Sequence, residues 1–454
     1  MAAASNTSIK KLAIRGAAWT VFGYGASQIL RFGNNVILTR LLVPELFGLM
    51  SLVNVLITGL HLFSDLGFNT NIVQSKRGDD PDFLDTAWTL QVVRSIVLWF
   101  GCLVVAYPAS QIYEEPKLLW LIPIVGLNTL IGGFNTTAIY TLNRHLSVKY
   151  VALFELLGQV AAITVMLTWA WFSPTIWALV AGTIASALFQ LGFSYYLKKW
   201  QPNRFKWERA AVREIFSFGK WIFVSTILTF LSTQADRLIL GGLFTLELLG
   251  VYGVAFTLAD IPRSLLGAIS GKVIYPTYSK LIDLPRAEFR AKVLKNRLPI
   301  ILVLSLGLAL LVGCGDLLVS FLYDKRYSTD ASWMLPILAL GTWPLLLTQT
   351  VEPILFSVGK PRYVAFSSFL SFLFYGIGIP LAFYSPLREV GAVLAVACSN
   401  IPIWFTINFA LHREKVSVIR QDILITLLFL GLLSLVMAIR NMLGLGLPLA
   451  TLLS

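Results

Sequence analysis

Charge is scarce in this chain. Of 454 residues only 13% are Asp, Glu, Lys or Arg, and the acidic ones number 23. That leaves too little polar surface for a soluble fold of this length, and no polar stretch is long enough to fold as a separate domain. Cysteine and histidine are scarcer still. Cys102, Cys314 and Cys398 fall in apolar runs with no close spacing, a pattern of packing residues that excludes a disulfide framework or a thiolate metal site. His61, His145 and His412 are scattered, and the last two sit in basic loops. No metal-ligand spacing, nucleophile elbow or phosphate-cradling loop occurs. Gly376 and Gly378, and the pair Gly241-Gly242, lie within or at the ends of apolar helices, where close packing and helix ends explain them. No catalytic residue, metal or cofactor is therefore assigned.

What is abundant is hydrocarbon. Hydrophobic residues make up 57% of the chain, and the mean hydropathy is +0.75. Apolar segments recur at lengths of about 18–25 residues, enough to cross a hydrocarbon core of about 30 Å. They predict spans at 15–40, 46–74, 84–107, 117–142, 149–171, 175–197, 215–241, 247–272, 297–323, 331–358, 362–384, 390–411 and 421–439. The first is read as a retained span, because no small-residue cleavage site follows it. The tail, Arg440 to Ser454, is apolar but short for a fourteenth span; it reads as re-entrant, interfacial or a shortened last helix.

Basic residues set the orientation. With the N-terminus in the cytoplasm, 26 Lys and Arg fall in inside segments and six outside, and four more, Arg31, Arg94, Arg237 and Arg263, lie within spans. The inside set includes Arg297 and the outside set Arg440. The net charge of +13 then reflects topology and attraction to anionic headgroups, with no call for nucleic acid as a partner. The richest basic loop, Leu197 to Lys220, carries Trp200 and Trp207 among its cations, with Trp221 just beyond. That composition predicts an interfacial amphipathic helix. Every predicted external loop is short, with no room for an enzyme pocket on that face. Transport is the function class that remains.

Offset by 202 residues, the chain matches itself. Residues 19–50 and 221–252 align without a gap, sharing Trp19/Trp221, Leu41/Leu243, Glu45/Glu247, Leu46/Leu248 and Gly48/Gly250 among seven identities. Such a repeat in a membrane chain predicts two similar halves with a substrate site at their interface. The expected architecture is an all-α polytopic membrane protein of two pseudo-symmetric six-helix bundles in parallel repeat, plus one or two C-terminal helices. The boundaries fall at 1–197 for the first bundle, 198–214 for a cytoplasmic or interfacial linker, 215–412 for the second bundle, and 413–454 for the extra helix or helices.

Ionisable residues inside a bilayer are costly and mark interior or wet positions. Here they are Arg31 (beside Asn34 and Asn35), His61, Asp65, Arg94, Asp236, Arg237, Asp260, Arg263 and Glu352. The offset maps Asn34-Asn35 onto Asp236-Arg237 and His61 onto Arg263, so the two hairpins are expected to face each other across a polar cavity. Two readings stand side by side. In one, Asp236, Arg237, Asp260 and Arg263 pair among themselves; Asp260 and Arg263 are three apart on one helix face. In the other, Arg31, Arg94, Arg237 and Arg263, with Asn34, Asn35 and His61, bind an anionic substrate, since a guanidinium fork suits phosphate oxygens. Asp65, Asp236, Asp260 and Glu352 are candidates for ion coupling or ion pairing.

Several stretches resemble a known family. They are Leu38-Thr-Arg-Leu-Leu-Val-Pro-Glu-Leu-Phe-Gly48, Leu62-Phe-Ser-Asp-Leu-Gly67, Asn71-Ile-Val-Gln74 and Thr141-Leu-Asn-Arg-His-Leu-Ser147 in the first half. Ala235-Asp-Arg-Leu-Ile-Leu-Gly241, Leu249-Gly-Val-Tyr252 and Tyr275-Pro-Thr-Tyr-Ser-Lys-Leu281 follow in the second. Together they resemble bacterial lipopolysaccharide and exopolysaccharide flippases of the multidrug/oligosaccharidyl-lipid/polysaccharide superfamily. The resemblance spans about residues 10–412, and the short C-terminal tail departs from the family's two further helices. It implies a bacterial inner-membrane transporter that rocks between inward-open and outward-open states. It also implies a polyprenyl-diphosphate-linked oligosaccharide as cargo, with a polysaccharide polymerase and other synthesis proteins as partners. A drug/cation antiporter of the same superfamily would call for a mainly acidic cavity, and a polymerase or ligase for a large external loop. The sequence offers neither.

Overall fold

The computed structural model describes residues 2–65, 67–145, 147–197, 203–446 and 448. Their regular secondary structure consists of helices only. In chain order these are α1 (Ala2–Leu41), α2 (Pro44–Leu62), α3 (Phe68–Gln74), α4 (Pro81–Ile112), α5 (Leu118–Gly133), α6 (Ala138–Arg144), α7 (Val148–Phe172), α8 (Ile176–Leu197) and α9 (Arg209–Gly241). Next come α10 (Leu246–Ala259), α11 (Ile261–Ile269), a π-helical turn (Ser270–Ile274), α12 (Tyr275–Leu281), α13 (Arg286–Leu322), α14 (Lys325–Gly341), α15 (Trp343–Gln349) and α16 (Glu352–Ser357). The last are α17 (Arg362–Phe383), α18 (Arg388–Cys398), α19 (Ile401–Arg413) and α20 (Ile419–Met442). Among the described residues, nine helical runs are long and apolar enough to cross a membrane, ten if the bent pair α5–α6 is one span. The protein is thus an all-α polytopic membrane protein. The expected spans at α1, α9 and α10–α12 are not among those runs.

Five expected spans prove discontinuous. Span 46–74 breaks between α2 and α3, where Gly67 takes φ 63°, a left-handed conformation that glycine adopts without Cβ strain. Span 117–142 bends by 60° between α5 and α6. The other three spans belong to the second half of the chain, hold four breaks between them, and share a cause. Pro262, Pro344, Pro353 and Pro402 each sit in the first turn of a new segment, α11, α15, α16 and α19. Proline has no N–H to bond to the preceding turn and clashes with it, so continuity ends there. At membrane depth such breaks persist only where protein or a water-filled cavity satisfies the freed backbone groups.

The chain divides into two compact units, Met1–Leu42 with Leu52–Phe230, and Val43–Ser51 with Leu231–Ser454. In unit 1, α4 packs on α5, α7 on α8 and α1 on α7. Cys102 lies against Gly126, where even a Cβ would come within 2.8 Å of its sulfur; it is a packing residue. In unit 2, α13 packs on α14 and α20, and α10 and α18 on α14.

A close backbone approach in unit 2 joins the first turns of α2 and α10. A Cβ on Gly48 would lie 1.9 Å from the Leu246 carbonyl oxygen, and one on Gly250 2.0 Å from that of Pro44. Glycine lets the two backbones touch. The contact is reciprocal under the 202-residue offset, because Pro44 corresponds to Leu246 and Gly48 to Gly250.

The basic connector differs from expectation. Of its described residues, 203–208 have no regular secondary structure and helix resumes only at Arg209; residues 198–202 lie outside the described set. The non-helical form follows from the bonds it makes. Backbone N–H groups of Arg204, Lys206 and Glu208 donate to the side chains of Asp85, Thr89 and Thr86 on α4. Such bonds replace an intrahelical ladder. Phe205 packs its ring on Trp88 at 4.8 Å. At the end of the connector, Arg77 donates from Nη1 and Nη2 to the two oxygens of Glu208, at 2.9 and 2.7 Å, and from Nε to Asp80.

Two arginines assigned to loops are in fact interior. Arg297 is wholly buried and Arg440 is 3% exposed. The inside-to-outside bias survives their removal, but neither is a loop charge.

Candidate functional site

Unit 1 carries a polar stripe on α1. Ser27 Oγ donates to Gln159 Oε1 on α7 at 2.7 Å, and Gln159 Nε2 donates to the Ser27 carbonyl at 3.0 Å. One turn further along α1, Arg31 is exposed and forms no ion pair among the described residues. Asn34 faces Met166 of α7, its Oδ1 buried without a hydrogen-bond partner. Asn35 is half-buried beside it.

His61, Asp65 and Arg94 meet at the α2–α3 break. Arg94 Nη2 donates to the His61 carbonyl at 2.8 Å, and its Nε to Ser64 Oγ at 3.0 Å. Asp65 accepts from the Gly67 N–H at 2.9 Å, and the His61 ring bonds Thr129 of α5 at 2.8 Å. Arg94 therefore caps the end of α2, satisfying carbonyls left open by the break. This removes it from the freely available cations. The family-like stretch ending at Ser147 makes a similar joint. Arg144 Nη1 donates to the carbonyls of Ile72, Val73 and Ser75, while its Nε donates to Asp79, closing the end of α3.

In unit 2 the two readings of the charges divide residue by residue. Asp260 and Arg263 form an ion pair. Asp236, 2% exposed, does not pair with Arg237; it accepts from Tyr252 Oη at 2.6 Å. That bond joins two of the family-like stretches, Ala235–Gly241 and Leu249–Tyr252. Arg237 donates to Gln234 Oε1 at 3.0 Å and lies 4.9 Å from the centre of the Phe256 ring. It has a cation–π partner but no carboxylate among the described residues. Glu352, at the α15–α16 break, forms no ion pair or hydrogen bond among the described residues.

Sequence reasoning missed the most buried ion pair. Arg297 of α13 and Asp422 of α20 meet at 2.6 Å with side chains 0% and 1% exposed. Arg297 also donates to Thr350 Oγ1 at 2.7 Å and to the Leu347 carbonyl at 2.8 Å, across the α15–α16 break. Asp422 further accepts from Trp404 Nε1 and Asn408 Nδ2 on α19. Both charges lie near predicted span ends, where they read as interfacial. Arg440 likewise pairs with Asp316 of α13 and donates to the Gly313 carbonyl.

Of the four in-span arginines, then, two are committed inside the fold, Arg94 to a helix end and Arg263 to Asp260. Arg31 and Arg237 are not neutralised by any described carboxylate.

Comparison with known proteins agrees with the resemblance read from the sequence. The chain is 24% identical over 283 residues to the lipopolysaccharide biosynthesis protein WzxC of Escherichia coli, covering 61% of this chain and 56% of that protein. It is 24% identical over 353 residues to the succinoglycan biosynthesis transport protein ExoT of Rhizobium meliloti, covering 77% and 70%. The match to WzxC thus spans little more than half of that relative's length. Among solved structures, the fold is similar to the inward closed conformation of the lipid II flippase MurJ, with a TM-score of 0.67 at 13% identity over 93% of this chain and 92% of that one. The family profile described as polysaccharide biosynthesis protein matches residues 37–331, well over half of the sequence. This chain belongs to the polysaccharide biosynthesis protein family.

Proposed function

We propose that this protein is a flippase of the bacterial inner membrane, with its N-terminus in the cytoplasm. Its cargo is a polyprenyl-diphosphate-linked oligosaccharide, moved to the outer leaflet for lipopolysaccharide or exopolysaccharide synthesis. A polysaccharide polymerase and other synthesis proteins are the expected partners downstream. The observation that carries the reading is the pair of arginines left without carboxylates, Arg31 on α1 and Arg237 on α9. An uncompensated guanidinium at membrane depth is costly. A diphosphate supplies the missing charge and matches the planar fork in two-point contacts. The glycan cannot cross hydrocarbon unaided, so a polar path with alternating access to the two leaflets meets the need without covalent chemistry. Asn34 and Asn35, next to Arg31, supply hydrogen bonds along the same path.

The test is export in a strain lacking its own exporter of this kind. Wild type should restore surface polysaccharide and clear lipid-linked oligosaccharide from the inner leaflet. Each charge-assisted bond is worth about 1.5–3 kcal/mol, so R31Q and R237Q should each slow export by roughly 10- to 100-fold at equal abundance. Export at the wild-type rate by the double variant would refute the role of these arginines. Extrusion of cationic dyes without glycan export would favour the drug/cation antiporter instead.

A further inference from the structure

Unit 2 contains a half-open cavity of about 370 Å³ built at two of its helix breaks. One wall is the end of α11, the π-helical turn and the start of α12, with Ser270, Gly271 and Tyr275. The other spans the α15–α16 break, with Gln349, Glu352 and Phe356. Ser270 Oγ donates to the Gln349 carbonyl at 3.1 Å and joins the two walls. Irregular helix of this kind concentrates at functional sites, and π-turns in particular do so. Arg297 braces the same break from behind through Leu347 and Thr350.

The hydrogen-bonding inventory of this cavity is one-sided. Gln349 Oε1 is buried without a partner, and the Glu352 carboxylate has none among the described residues. Both are acceptors awaiting donors. Among the described residues no cation lines the cavity, and a phosphate there would meet the Glu352 carboxylate. A hard metal ion needs about six oxygen ligands, whereas the described lining side chains offer one carboxylate, one amide and two hydroxyls, of which Ser270 already donates to the Gln349 carbonyl. A size of 370 Å³ lies at the small end of the roughly 300–1,000 Å³ of ligand clefts, the scale of one ring. The rings of Tyr275 and Phe356 are both exposed and supply apolar faces. We infer that this cavity is a sugar subsite, taking one pyranose ring of the cargo with its hydroxyls donating to Glu352 and Gln349 and its C–H face on the aromatic rings.

This inference rests on the flippase reading and divides the cargo by chemistry: the diphosphate to the unneutralised arginines, a sugar ring to acceptors and aromatics. It also supplies a plug that leaves protein packing alone. Gly271 lines the cavity and a Cβ on it would meet nothing within 4 Å, so G271L adds bulk at the cavity wall without a clash.

Two measurements test it on the full chain in lipid nanodiscs and in cells. Saturation-transfer NMR with methyl glycosides of glucose, galactose, mannose, rhamnose and N-acetylglucosamine should show contact for at least one. That signal should fall at least fivefold in G271L and E352Q, and both variants should cut glycan export at normal abundance. R31Q should leave the glycoside signal intact. The inference is overturned if no glycoside gives a G271L-sensitive signal, if methylammonium gives one and the glycosides do not, or if both variants export at the wild-type rate. Failure of wild type itself to export, with the glycoside signal present, would sink the flippase reading and leave a sugar site in a protein of another activity.

Discussion

Replacing Arg297 by methionine keeps most of the side-chain volume and removes one charge of a pair that water does not reach. Asp422, 1% exposed, is left with Trp404 and Asn408 as hydrogen-bond donors but with no counter-charge. Breaking a buried pair in this way costs about 3–5 kcal/mol. The Leu347 carbonyl and Thr350 hydroxyl each lose a bond from the guanidinium while keeping the 2.7 Å bond to each other, and a hydrogen bond to a charged group is worth about 1.5–3 kcal/mol. D422L should cost a similar amount, because it strands the guanidinium. The double variant R297M/D422L removes both charges together, so its cost should fall back to about 1–3 kcal/mol, the uncapped break alone. Simple additivity would put it at about 6–10 kcal/mol. Equilibrium unfolding in mixed detergent–SDS micelles, followed by circular dichroism, measures all three. The reasoning fails if R297M costs no more than about 1 kcal/mol, the value for an exposed pair. It fails equally if the double variant costs the sum of the singles. A sound result would identify the pair as the brace of the broken helix beneath the proposed sugar subsite.

Two further changes probe the joints. Gly48→Ala and Gly250→Ala each push a methyl into a carbonyl about 2 Å away, so each should destabilise by about 1–3 kcal/mol as overpacking does; thermal unfolding at the wild-type temperature would contradict the contact. The clamp on the basic connector should respond to acid in a defined direction. The Arg77 guanidinium beside Asp80 holds its carboxyl below the usual 3.8, so its contribution is full above that value and is lost only as pH falls through the lower folded-state pKa. A fluorine label at position 207 should report an attached connector from pH 7 down to about 4 and release below it. Asp80→Asn should loosen the connector at neutral pH, and release of the wild type already at pH 6 would refute the assignment.

The location of the sites was only partly legible. Asp260 and Arg263 are three residues apart, and helix periodicity alone brings them together. Arg94 was visible as a charge within a span, yet its role as a cap depends on the α2 break, which no local rule demanded. Arg297 and Asp422 are 125 positions apart and each near a helix end, so each alone reads as an interfacial charge. Prolines 262, 344, 353 and 402 announced possible breaks. Whether a membrane helix bends or stops at a proline depends on what satisfies the freed groups, and here Arg297, Ser270 and Asn400 do so from other helices.

By itself the sequence determined the solvent, the helical class and the family, because hydropathy and local motifs act over one or two dozen residues. It also supplied the 202-residue offset that pairs Gly48 with Gly250. Only the tertiary structure decided which charges are spent and which are free. Neutralisation depends on side chains from distant helices arriving within about 3 Å of one another, and that is a property of packing that no local pattern encodes.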